Sequence, residues 1–154
     1  MALRTIVTGE DEILRKRSRD VTVFDARLHQ LLDDMYDTMT ISEGVGLAAV
    51  QVGILRRATV IDIGEGRIEL INPVLLEQST VKLSQVEGCL SFPRARGSVL
   101  RPRKVKIQAQ DRDGNMFIMD GEDMLARAIC HELDHLDGIV YLDVSEKMHE
   151  PDPE

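Results

Sequence analysis

Apolar residues recur at helical spacing in two stretches of the chain. Leu28, Leu31, Leu32, Met35 and Met39 share one face of a helix predicted over residues 26–41, with Asp25 as its N-cap. Leu125, Ile129, Leu133 and Leu136 form a second stripe over 122–137, capped by Asp120 or Gly121 and ended by Gly138. A shorter helix over 10–18 would turn Ile13 and Leu14 inward. Between the two long helices the pattern becomes that of strands. Residues 58–63 are β-branched and apolar, Gly64-Glu65-Gly66 reads as a turn, and 68–71 pairs back. Pro73 punctuates, and 74–83 reads as a longer strand. Residues 104–109 alternate polar and apolar, 111–115 carry turn chemistry, and 116–119 return as the other hairpin arm. A last short strand fits 139–142. The pattern predicts an α+β fold of mostly antiparallel sheet, with residues 1–148 as one domain. Residues 149–154, with two prolines and three acids, read as a flexible acidic tail.

Composition narrows this picture. A chain of 154 residues suffices for one core and is short for two. Aromatic residues are only 3%, with no Trp, so the core must be aliphatic. A net charge of -8 disfavours broad binding to nucleic acid. Arg94, Arg96, Arg101, Arg103 and Lys104 form a local basic run. A charged strand-and-loop edge is the stronger reading, and docking of an anionic partner is the weaker one. Two cysteines make no disulfide scaffold, and no stretch has the length of a membrane span or the pattern of a signal peptide. A reducing cytoplasmic setting is expected.

The chemistry concentrates at His131-Glu132-Leu133-Asp134-His135. Two imidazoles four apart on a helix lie on one face, one turn apart, and can reach one metal. Glu132 flanks that face, where a carboxylate can act as general base on a water. Two ligands are too few for a catalytic site. Downstream, His149, Asp143 and Glu146 carry no motif. Upstream, Cys89 is a candidate, although a lone cysteine read by itself is more often a small buried hydrophobe. Cys130 is rotated off the ligand face and reads as core packing. In the stretch 44–51, Gly44 and Gly46 let backbone approach a ligand and Gln51 can offer an amide to an oxyanion, although by itself the stretch reads more readily as a plain loop. On these residues a metal hydrolase is expected, with an HExxH endopeptidase or a non-catalytic metal domain as alternatives.

Three segments together, GVGLAAVQ at 44–51, EGCLS at 87–91 and HELDH at 131–135, resemble in order and rough spacing the signature motifs of the peptide deformylases. The resemblance runs from the first helix to Leu142. Cys130 stands where the family commonly has Gln, at a position that is not a ligand. The resemblance implies antiparallel sheets packed around a central metal-binding helix. It implies removal of the formyl group from the N-terminal formylmethionine of new polypeptides. Fe²⁺, or Zn²⁺ or Ni²⁺ in the same site, would be held by Cys89, His131 and His135. Glu132 would be the general base, and the Gln51 amide with the Leu90 N–H would steady the oxyanion. Val45, Met124, Ala128 and His131 would border a methionine pocket. The substrate backbone would pair near Val45-Gly46 and Glu87-Gly88-Cys89, with Arg96 near the mouth. Asp134 either orients a ligand histidine or sits in solvent or a salt bridge. The expected partner is the formylmethionyl nascent chain at the ribosome exit, met by a monomer without DNA or membrane.

Overall fold

The computed structural model describes residues 2–149. Helix α1 (Ala26–Ile41) begins where its chemistry says it should: the Asp25 carboxylate accepts the Leu28 N–H. Its stripe of Leu28, Leu31, Leu32, Met35 and Met39 is buried. It packs on strands β1 (Gly46–Ala48) and β2 (Ala58–Ile61), through Leu47, Ala58 and Val60. The 10–18 stretch contracts to a 3₁₀ turn, Glu12–Arg15, with Leu14 fully buried. A second 3₁₀ turn, Ala49–Val52, follows β1.

The strand β3 (Ile68–Gln78) runs straight through Pro73, which was expected to end it. The ladder breaks there instead, between Ile71 and Val74. Asn72 adopts φ 51° at that break, and its side-chain amide accepts the Val21 N–H and donates to the Val21 carbonyl. A side chain thus supplies the pairing that the irregular backbone gives up. The predicted strand over 74–83 is therefore two elements, since β4 (Lys82–Cys89) starts a different sheet. Strand β5 (Phe92–Pro102) had no counterpart in the sequence pattern. The hairpin of β6 (Lys104–Gln110) and β7 (Met116–Glu122) forms as expected.

Helix α2 (Met124–Leu136) starts directly from β7, with Asp123 at φ 53° as the hinge. Asp120 and Gly121, expected as caps, lie inside β7. Gly138, at φ 77°, follows the helix end. The expected strand over 139–142 is instead the approach to a short helix, α3 (Tyr141–Val144). Strand β8 (Ser145–His149) follows and pairs with β5, so His149 belongs to a strand rather than to a tail. Residues 150–154 of the proposed tail lie outside the described residues.

Two antiparallel sheets result, ordered β1-β2-β3-β6-β7 and β4-β5-β8. Ala126, Ala128, Ile129 and Cys130 of α2 pack on Ile61, Leu70 and Ile107 of the larger sheet. Leu136, at the end of α2, joins a third cluster with Leu14 and Val50. The small residue Ala126 lets the helix sit close to the sheet, against Gly121 of β7. Its other side is left facing β4 and β5.

Candidate metal centre

Cys89 ends β4, while His131 and His135 ride one face of α2, a turn apart. Their ligand atoms all lie within 4.8 Å of one another. Cys89 Sγ stands 3.3 Å from His135 Nε2. Two ligands of a tetrahedral ion, each at about 2.0–2.3 Å, are roughly 3.4–3.6 Å apart, so this spacing fits a first-row divalent metal. His131 donates Nδ1–H to Glu87 Oε1 at 2.9 Å, which leaves Nε2 as the nitrogen that could take a metal. His135 Nδ1 is buried without a hydrogen-bond partner.

Electrostatics separate the two histidines. Burial disfavours the imidazolium at His131, but hydrogen bonds to Cys89 and Glu87 win and push its pKa up to about 10. At His135 burial acts together with the nearby His131 and Arg101 charges, and the pKa falls to about 3. A metal at Nε2 would displace the His131 proton, while His135 is already neutral and ready to ligate.

Glu87 was expected to offer only backbone, yet its side chain anchors the site. Burial alone would raise its pKa, but hydrogen bonds from His131 and Arg101 bring it down to about 2. Arg101 Nε and Nη2 grip both carboxylate oxygens at 2.9 and 3.0 Å. Arg101 also donates to Asp134 at 2.6 Å, so Asp134 is salt-bridged, and the carboxylate on a histidine is that of Glu87. The basic run dissolves accordingly: Arg101 is buried, Arg103 pairs with Asp123 and Lys104 with Glu122. Because the folded-state pKa of Glu87 is depressed, its stabilisation is present above about pH 4.5 and is lost as pH falls toward 2. In metal-free protein, the Tm gap between the parent and Glu87→Gln should therefore shrink across that window; a gap independent of pH would contradict this.

Glu132 sits 3% exposed, and its Oε1 has no hydrogen-bond partner. Burial dominates its environment and raises its pKa to about 7. Gly46 lies directly against it: a Cβ there would meet Glu132 Oε2 at 2.5 Å. Gly44 likewise makes room for a side chain, that of Leu90, whose Cδ1 would stand 2.6 Å from a Cβ. Both glycines thus admit protein side chains, where the sequence had suggested only room for a ligand. Gly46→Ala should push the Glu132 carboxylate aside and lower kcat by about 100-fold at unchanged metal content. Formate release and metal analysis on the same preparation check this; a kcat within twofold of the parent would contradict it.

Gln51 is 1% exposed and fully engaged. Its Oε1 accepts the Ala48 N–H at 3.0 Å, and Nε2 donates to Ser91 Oγ at 3.1 Å and Cys89 Sγ at 3.5 Å. The amide is locked with one N–H toward Ser91 and the other toward Cys89. Val45 is 41% exposed just before β1, an edge strand with one neighbour. Gly88 is exposed, and the Arg96 guanidinium lies against it, 2.5 Å from where a Cβ would be. Ala128 is buried and Met124 is 51% exposed, both on the α2 face that carries His131. Cys130 packs into the core, as its rotation off the ligand face implied.

Four participants carry no recognisable signal in the sequence: Glu87, Ser91, Tyr141 and Arg101. Glu87 lies inside β4 two residues before Cys89, and Ser91 in the turn just after it, so recognising β4 and its turn would have brought both toward Cys89. Tyr141 stacks on His131 with ring centroids 5.8 Å apart, and only the correct assignment of α3 places it there. Arg101 carried no local signal, because its partners are distant in sequence.

Comparison with known proteins agrees with this geometry. The family profile described as "Polypeptide deformylase" matches residues 3–150. The peptide deformylase of Caldicellulosiruptor bescii is 62% identical over 143 residues, covering 93% of this chain and 86% of that protein. Peptide deformylase 1 of Bacillus subtilis is 49% identical over 154 residues, covering 99% and 96%. The crystal structure of peptide deformylase from Thermotoga maritima superposes with a TM-score of 0.93 at 38% identity, covering 95% of this chain and 99% of that one. With a profile match over nearly its whole length and relatives this similar, the chain belongs to the polypeptide deformylase family.

Proposed function

We propose that this protein hydrolyses the formyl amide at the N-terminal formylmethionine of newly made polypeptides, releasing formate and a free amino terminus. The observation that carries the reading is one thiol and two imidazoles converging beside a buried, partner-free carboxylate. Fe²⁺ is the proposed resident ion, and Zn²⁺ or Ni²⁺ suit the same sulfur and nitrogen donors. When bound, such an ion lowers the pKa of water at its open position and polarises a carbonyl.

Glu132 takes a proton from the attacking water as the oxygen adds to the formyl carbon. It then passes that proton to the amine nitrogen as the C–N bond breaks. A pKa of about 7 suits both duties, since the group must accept and release a proton near neutral pH. The Gln51 amide and the Leu90 backbone N–H steady the oxyanion. Gln51 supports its share because its bonds to Ala48 and Ser91 fix the amide plane, while its second N–H, only 3.5 Å from Cys89 Sγ, is the weakly held donor that an oxyanion can take over. The substrate backbone lies along the open edge of β1 near Val45-Gly46, and against Gly88 on the other side, with main-chain hydrogen bonds extending the sheet. Met124 and Ala128 border the methionine side chain, and Arg96 stands at the mouth beside Gly88. The proposed setting is the bacterial cytoplasm, where a monomer meets nascent chains at the ribosome exit.

Formate release from an N-formylmethionyl peptide tests the activity, with an unformylated peptide of the same sequence as control. The formylated peptide should yield formate, and neither peptide should be cut internally. Internal cleavage without formate would replace this reading with that of an HExxH endopeptidase.

A further inference from the structure

Glu87 is held from three sides, and two of its partners, Arg101 and Arg127, lie outside the three motifs. Arg127 sits on α2 one turn before His131 and reaches across to the smaller sheet. Its Nη1 donates to Glu87 Oε2 at 2.5 Å and to the Val99 carbonyl at 2.9 Å, and its Nη2 donates to the Leu83 carbonyl at 2.7 Å. One guanidinium therefore joins α2 to the backbone of both β4 and β5. The metal ligands divide along the same seam, since Cys89 ends β4 while His131 and His135 belong to α2. Arg101 also crosses it, but through carboxylates alone, Glu87 and a partly exposed Asp134. Arg127 is the arginine that grips strand main chain.

We propose that Arg127 is a positioning residue of the metal centre: it sets the separation between Cys89 and the two histidines and holds Glu87 against His131. The inference rests on the metal-centre reading above. A planar fork with several donors can satisfy a carboxylate and two carbonyls at once, whereas a lysine ammonium on a flexible stem matches that geometry poorly. If Arg127 only satisfied buried carbonyls, its loss would lower stability without a specific effect on the metal.

The test is release of Co²⁺ from the loaded protein. The parent, Arg127→Met, Arg127→Lys and Val105→Ala are loaded with Co²⁺, their thiolate-to-cobalt absorption is recorded, and excess EDTA is added. Val105 is a buried core residue of β6 with no part in this polar network, so its truncation reports destabilisation alone. Arg127→Met should release Co²⁺ roughly tenfold faster than the parent, at the lower end of what loss of an outer-shell partner costs. Its absorption band should shift, and Arg127→Lys should fall in between. Val105→Ala should lower Tm while keeping the parental release rate and band. The proposal is overturned if Arg127→Met keeps the parental band and releases metal no faster than Val105→Ala. Should Arg127→Met not fold, a parental band and release rate in Arg127→Lys overturn it equally. A parent protein without the thiolate band would instead bring down the metal-centre reading itself, and this proposal with it.

Discussion

Replacing Glu132 by Gln is expected to cut formate release by roughly 10³-fold while metal content stays at the parental level, since a positioned general base contributes about 10²–10⁴-fold. The substitution keeps the shape that Gly46 accommodates and removes only the ability to take a proton. No ligand atom is touched, because the thiol and imidazoles that converge belong to Cys89, His131 and His135. Stability gives an independent check. Burial raises the folded-state pKa of Glu132 to about 7, so above that pH folding must bury a charge that the unfolded chain leaves in water. An amide escapes that cost, and at pH 8 the Tm of metal-free Glu132→Gln should equal or exceed that of the parent. Such a trade of stability for a reactive group is what an active-site carboxylate implies. Full activity in Glu132→Gln would remove the general base from the mechanism.

The two cysteines should behave in opposite ways. Cys89→Ala is expected to lose tight metal binding, and with it formate release, because two imidazoles alone leave a catalytic ion short of a ligand. Cys130→Ala should retain metal and most activity. Burial pushes the Cys130 thiol up to about 11, so at neutral pH it is a protonated, apolar filler. Its sulfur packs in the core between α2 and the larger sheet, and its loss should cost about 1 kcal/mol, the ordinary size for a small truncation. Metal analysis of the two variants side by side reads the difference directly. The reverse pattern would move the ligand from Cys89 to Cys130.

What the sequence made legible followed the range of the interactions involved. Helix α1 and its Asp25 cap rest on contacts within one or two turns, and both were visible from spacing alone. His131, Glu132 and His135 are likewise a local pattern on one helix. The second layer was not legible because it is long-range. Asp134 adjoins His135 in sequence, yet Arg101 claims it, and Glu87 arrives from the smaller sheet to take His131. Strand β5 escaped notice because its inward Arg101 is charged, so the alternation that marks a half-buried strand is broken at the residue that matters most. The apolar run at 139–142 was ambiguous by length, and it entered a single helical turn that carries Tyr141 to His131. Cys89 joined the ligands only through the likeness of three motifs, since nothing local separates it from a buried hydrophobe.

The central claim is that one metal ion, held by Cys89, His131 and His135, is required for deformylation. Anaerobic titration of metal-free protein with Fe²⁺, following formate release from an N-formylmethionyl peptide, tests it most directly. The rate should start near zero, rise in proportion to added Fe²⁺ and level off at one equivalent per chain. Full activity before any metal is added, or the same titration curve in the Cys89→Ala protein, would contradict the account.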